Sequence, residues 1–316
     1  MKTCFFALAI LFSALIAGAA ELHVGAGQTY TKPSKAAKAA KDGDTIVIHA
    51  GSYAGDVCAW TANNLVIRGE GADRVFLDAA GQICQGKAIW VISGANVQVS
   101  GITFRGAACA DRNGAGIRLE PSASNFVIRG CIFRENENGI LCGSIPGTLT
   151  IEYCEFADNG YGNGSSHNLY IGAVDTFVFR HNLTHHANVG HNLKSRAKES
   201  IVEGCRFDDG YDGVSSYLAD FPNGGKVTVR DCVFVQAATT QNGRMVCFGE
   251  EGSLPSGSTL TFEGNVMENR RSSGTFVLVQ GIGEDAIRCT RANEYIGNGS
   301  GKIEVRNQPS FLMSVH

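Results

Sequence analysis

One six-residue pattern recurs along most of the chain and limits what it can become. The segments VSGITF, IRGCIF, IEYCEF, FRHNLT, VEGCRF, VRDCVF, FEGNVM and TRANEY share a fourth position, occupied by Ile102, Cys131, Cys154, Asn182, Cys205, Cys232, Asn265 and Asn293. Successive spacings are 29, 23, 28, 23, 27, 33 and 28 residues. A period in this range, carried by short strands without interleaved helices, implies a solenoid of β coils. A single coil cannot bury its apolar side chains. Stacked at roughly 4.8 Å, each strand pairs with its equivalents above and below, and like residues form columns. Asparagine suits such a column because its amide donates to one neighbour and accepts from the other, and cysteine is a small buried substitute.

The rest of the composition agrees. The 40 glycines and short Val/Ile/Phe runs punctuated by Asn, Asp and Gly describe strands joined by tight turns. No linker or charge run divides the chain. The first twenty residues, MKTCFFALAILFSALIAGAA, have the layout of a secretory signal peptide. The reading is therefore an exported, periplasmic or secreted protein, with a leader over 1–20 and one β-helix domain over 21–316. No other stretch is long and apolar enough to suggest a membrane span. The net charge of −3, without a basic tail, gives no sign of a nucleic-acid partner.

Together the alternation, turns and Asn/Cys column resemble the right-handed parallel β-helix proteins of the pectate-lyase-like superfamily. This implies an all-β, single-stranded solenoid. A short amphipathic helix over 35–41, followed by a strand over 45–49, is expected to cap its first rung. Cys131, Cys154, Cys205 and Cys232 are read as buried column thiols. Cys58 with Cys84, and Cys109 with Cys142, fall near turns and are the disulfide candidates in an exported chain.

The near-copies SHNLYIG (166–172) and GHNLKSRA (190–197) stand at equivalent places in adjacent coils. Strand alternation assigns Ile117, Leu119, Leu169, Ile171, Leu193 and Ser195 inward. The outward set is then Arg118, Glu120, Asn168, Tyr170, Asn192, Lys194, Arg196, Ser216, Leu218 and Asp220, with Glu250 or Glu251 of FGEEG one coil further on. His167 and His191 occupy equivalent rung positions; His181, His185 and His186 read as turn or packing residues. Calcium is the cation that such a patch would suit, if any.

A patch of Tyr, Lys, Arg and Asp suits β-elimination on a uronate-containing polysaccharide. The base removes the proton beside the carboxylate, a cation neutralises that carboxylate, and the leaving glycosidic oxygen takes a proton. Lys194 is assigned as base, Arg196 as carboxylate partner, and Tyr170 or His191 as proton donor. Asn168, Asn192, Arg118, His167, Asp220 and Glu250 are assigned to substrate binding. The Lys/Arg pair resembles the residues used by β-helix lyases of the alginate and chondroitin group. The calcium and arginine signature of pectate lyases, the Gly-His-Gly of polygalacturonases and the Asp-Pro-His-Asp of alginate epimerases are missing. The expected partner is an acidic polysaccharide, met by a monomer. A glycoside hydrolase using Asp220 with Glu250 or Glu251, a C5-epimerase, and a non-catalytic glycan-binding envelope protein are the alternatives.

Overall fold

The computed structural model describes residues 18–299 and 302–306. The expected leader therefore lies outside the described residues, except for 18–20. The chain winds through three parallel sheets, of 11, 10 and 10 strands, in about 11 turns. Sheet A runs from Glu21–Val24 to Ile287–Arg288, sheet B from Gly51–Ser52 to Glu294–Gly297, and sheet C from Cys58–Trp60 to Ile303–Arg306. Every pairing between named strands is parallel, each strand bonding to its equivalents one coil away, for example Phe104 with Phe133 and Phe133 with Phe156.

The expected cap forms as a helix over Pro33–Ala39, two residues earlier than the sequence suggested, because Pro33 sits naturally in a first helical turn. Its buried Ala36 joins the core, and Asp56 fixes Ser34 by bonds of 2.9 Å to the amide and 2.5 Å to the hydroxyl. The next strand spans Thr45–Ile48.

The repeat's fourth position is the bend between sheets A and B. There Cys154 N–H donates to Asn182 Oδ1 (2.8 Å), Cys232 N–H to Asn265 Oδ1 (3.0 Å) and Asn265 N–H to Asn293 Oδ1 (2.9 Å). Backbone amides at a bend cannot all reach a ladder partner, so these side chains satisfy them. The column cysteines carry no bridge, and all ten described cysteines are free. This corrects the expected disulfides. Cys109 Sγ lies 2.8 Å from Asp111 Oδ1, Cys142 Sγ lies 3.2 Å from the Gly143 carbonyl, and Cys58 and Cys84 are separate thiols.

The sixth repeat position points into the core and stacks aromatic rings. Phe104, Phe133 and Phe156 follow one another at 5.0 and 4.9 Å, and Phe207 meets Phe234 at 4.6 Å. Between these two runs the column contains Thr184, in register with both Phe156 and Phe207. Phe179 fills the gap from sheet A, 6.2 Å from each flanking phenylalanine. The polar interruption lies under the rungs that carry the candidate site. No helix among the described residues is long and apolar enough to cross a membrane.

Candidate functional site

Three short sheet C strands build the site: Leu169–Ile171, Lys194–Ser195 and Ala219–Phe221. Their register places Tyr170 beside Lys194 and Lys194 beside Asp220, one rung apart in one column on the outer face. Inward neighbours fix these strands. Leu169, Ile171, Leu193 and Phe221 are fully buried, and Ser195 Oγ lies 2.9 Å from Ser200 Oγ.

Two turns complete the cluster, one after Ala219–Phe221 and one after the next strand of the sheet, Arg244–Phe248. Lys194 Nζ lies 2.7 Å from Glu251 Oε1 and 3.6 Å from Asp220 Oδ2. Arg196 pairs with the second oxygen of Glu251, donates to Asn223 Oδ1, and donates through Nε to Tyr170 Oη at 2.9 Å. Because the phenol oxygen accepts from Arg196, its own proton is left to donate elsewhere. His191 Nε2 lies 3.5 Å from Asp220 Oδ2, and the ring stacks on His167 at 4.6 Å. Asp220 is 2% exposed, and its Oδ1 has no hydrogen-bond partner.

Electrostatics divide these groups. Burial drives the Asp220 carboxyl up to about 7; Lys194 opposes the shift, and Glu251 and Glu250 add to it. Glu251 also feels desolvation, but hydrogen bonds from Lys194 and Arg196 overcome it and hold the carboxyl below the usual range. Burial, then the charges of Lys194 and Arg196, lowers His167 to about 3; burial also takes His191 well below its ordinary value, with His167, Lys194 and Arg196 adding to the shift. Both imidazoles are neutral near pH 7. His167 Nδ1 accepts the His191 N–H at 3.0 Å, and His191 Nδ1 accepts the Tyr217 N–H at 3.4 Å. Each ring therefore carries its proton on Nε2, which for His191 faces Asp220.

Several predicted residues fall elsewhere. Asn168 and Asn192 do not face outward. They are fully buried at the bend between sheets B and C, in a second amide ladder. Asn159 Nδ2 donates to Asn168 Oδ1 (2.8 Å), Asn168 Nδ2 to Asn192 Oδ1 (2.7 Å), and Asn192 Nδ2 to Asp209 Oδ1 (2.9 Å). Leu218 is likewise core. These three break the alternation because the chain is turning there, and alternation holds only along extended strand. Arg118 shares the column of Tyr170 but stands two rungs away, beyond Leu141, with its Nε 3.4 Å from Glu120 Oε1. Glu250 is turned aside, accepting from Tyr217 Oη at 2.6 Å and Arg244 Nη1 at 2.7 Å, so its neighbour Glu251 joins the cluster.

Asn223, Tyr217 and Arg244 escaped the sequence reading. Asn223 lies in DFPNGG, whose glycines marked a turn without indicating that the turn folds back over Arg196. No group of three or more His, Cys, Asp or Glu side chains among the described residues is arranged to hold a metal ion. Between Asp220 and Glu251 the position a cation would take is filled by Lys194 Nζ.

Residues 48–193 match the family model described as "Right handed beta helix region". Among solved structures, an alginate lyase from Paenibacillus sp. str. FPU-7 superposes with a TM-score of 0.66 at 16% identity, over 90% of this chain and 99% of that one. ORF18 of Geobacillus virus E2 superposes with a TM-score of 0.57 at 15% identity, over 88% of this chain and 57% of that one. No curated protein sequence matches the chain. The match over residues 48–193, the three parallel sheets and these superpositions agree that this chain has the right-handed parallel β-helix fold.

Proposed function

We propose that the protein is an exported polysaccharide lyase that cleaves uronate-containing chains by β-elimination. The observation that carries this reading is the in-register pair Tyr170 and Lys194, with Arg196 Nε 2.9 Å from Tyr170 Oη. Lys194 Nζ, acting as the base, takes the C5 proton. The Arg196 guanidinium pairs with the uronate carboxylate and spreads the charge that develops there. The C4–oxygen bond breaks as the C4–C5 double bond forms, and Tyr170 Oη gives its proton to the leaving oxygen.

Tyr170 suits proton delivery better than His191. The Arg196 hydrogen bond stabilises the phenolate left behind, whereas the His191 N–H faces Asp220. His191 and Asp220 then position Lys194. The full-length likeness in fold to an alginate lyase supports a carbohydrate substrate.

A hydrolase is the second reading, favoured by one feature. Two carboxylates flank the same ammonium, with Asp220 raised to about 7 and Glu251 lowered, an asymmetry that acid and base pairs use. Digestion of a uronan separates the two. Elimination gives an unsaturated, ultraviolet-absorbing uronide; hydrolysis gives reducing ends without it.

A further inference from the structure

The Glu251 carboxylate spans a fork made by Lys194 and Arg196, and so already occupies the guanidinium to which the proposed function assigns the substrate carboxylate. One oxygen lies 2.7 Å from Lys194 Nζ and the other is on Arg196. Half of this side chain is exposed, whereas Lys194 is buried and Arg196 largely so, so the glutamate covers the fork from the solvent side. It arrives on a tight turn, where the Glu251 N–H donates to the Pro222 carbonyl at 3.0 Å. Gly249 and Gly252 bracket the Glu250–Glu251 pair, both at φ +81°, a backbone region that glycine enters without strain. Beyond the second glycine, Leu254 packs against the core and anchors the turn.

We infer that Arg196, oriented by Asn223 Oδ1, is the carboxylate-binding site for uronic acids, and that Glu251 is its internal occupant, displaced when a uronate enters. The inference rests on the proposed function for the identity of the ligand. A uronate carboxylate offers Arg196 the same kind of oxygen that Glu251 does. Its entry exchanges one charge-assisted contact on Arg196 for another, so desolvation of that guanidinium is already met before binding. Swinging Glu251 out leaves Asp220 as the carboxylate beside Lys194 Nζ, the arrangement in which that nitrogen faces the sugar. Affinity is reduced by the fraction of molecules in which Glu251 is in place.

The test uses D-glucuronate, which has no glycosidic bond to cleave, titrated by ligand-observed NMR, with D-glucose as the neutral control. Glu251→Gln is expected to bind glucuronate about three- to tenfold more tightly than wild type, the range that two partly exposed ion pairs competing for the fork would produce. Glucose should bind neither protein, and adding Arg196→Ala to Glu251→Gln should abolish glucuronate binding. Glu251→Ser, which keeps the backbone turn and lacks the carboxylate, should repeat the gain. Equal or weaker glucuronate binding in both variants, or binding to no form of the protein, would overturn the inference. Tighter binding with no unsaturated product from any uronan would uphold it and remove the elimination reading. Product formation with unchanged affinity would do the reverse.

Discussion

Thr184→Val tests the link between the fold and the site, because two physical terms predict opposite signs. Thr184 is fully buried in a column otherwise filled by apolar and aromatic side chains, with Phe156 and Phe207 as its register partners. Treated as a core slot, the position gains from valine: a methyl replaces a hydroxyl of similar volume, contributing about 0.8 kcal/mol of apolar burial. The hydroxyl, however, accepts from Asn168 Nδ2 at 3.1 Å and donates to the Asn192 carbonyl at 3.1 Å. The Asn168 amide keeps Asn192 Oδ1 (2.7 Å) and the His185 carbonyl (2.8 Å), so it remains satisfied. The Asn192 carbonyl loses its hydroxyl donor inside the core, at about 1–3 kcal/mol. The polar term wins, and the variant should be destabilised by up to about 2 kcal/mol. Urea unfolding followed by circular dichroism measures this as the midpoint shift at constant slope. Since Asn192 lies two residues before Lys194, turnover should fall as well. A variant as stable as wild type, or more stable, would show that the amide ladder does not hold these rungs.

Replacing Lys194 by alanine should lower the rate of unsaturated product formation by about 10²–10⁴-fold, the range for losing a general base, measured by absorbance on a uronan. Tyr170→Phe, which keeps the ring but not the proton, should lose a comparable factor, and undiminished activity would remove Tyr170 as the acid. For Asp220, the folded value of about 7 stands above the ordinary 3.8, so between roughly pH 4 and 7 the folded chain holds a proton that the unfolded chain has lost. Its contribution is complete below pH 4 and is lost as pH rises through 7; Asp220→Asn should flatten that decline in urea midpoints, and an unchanged decline would assign it to other groups. On sheet A, Glu152, Arg180 and Glu203 stack in register, with Arg180 Nε 2.6 Å from Glu203 Oε2. Arg180→Glu puts three carboxylates in one column and should cost about 1–2 kcal/mol at low salt, less at high salt; a salt-independent loss would point to packing instead.

How much of this was legible in the sequence depended on whether a residue lay on straight strand or at a bend. The column from Cys131 to Asn293 was readable because like residues recur at one offset and only stacking explains it. Tyr170, Lys194 and Asp220 were readable as a column because Leu169, Ile171 and Leu193 fixed the register beside them. Asn168 and Asn192 were misread as surface residues because alternation was carried back through a corner where consecutive side chains both point inward. A signal was present: Thr184 interrupts a phenylalanine column, and a buried hydroxyl needs polar neighbours. The choice between Glu250 and Glu251 could not be made from sequence, since it depends on the turn between two left-handed glycines and on Arg244 drawing Glu250 away.

The most direct measurement is digestion of a panel of acidic and neutral polysaccharides by wild type and by Lys194→Ala, followed by ultraviolet absorbance and reducing-end assays in parallel. The site described here predicts absorbance and reducing ends rising together with wild type on a uronan, no reaction on neutral chains, and neither signal with the variant. Reducing ends without absorbance, or equal activity in the two proteins, would contradict it.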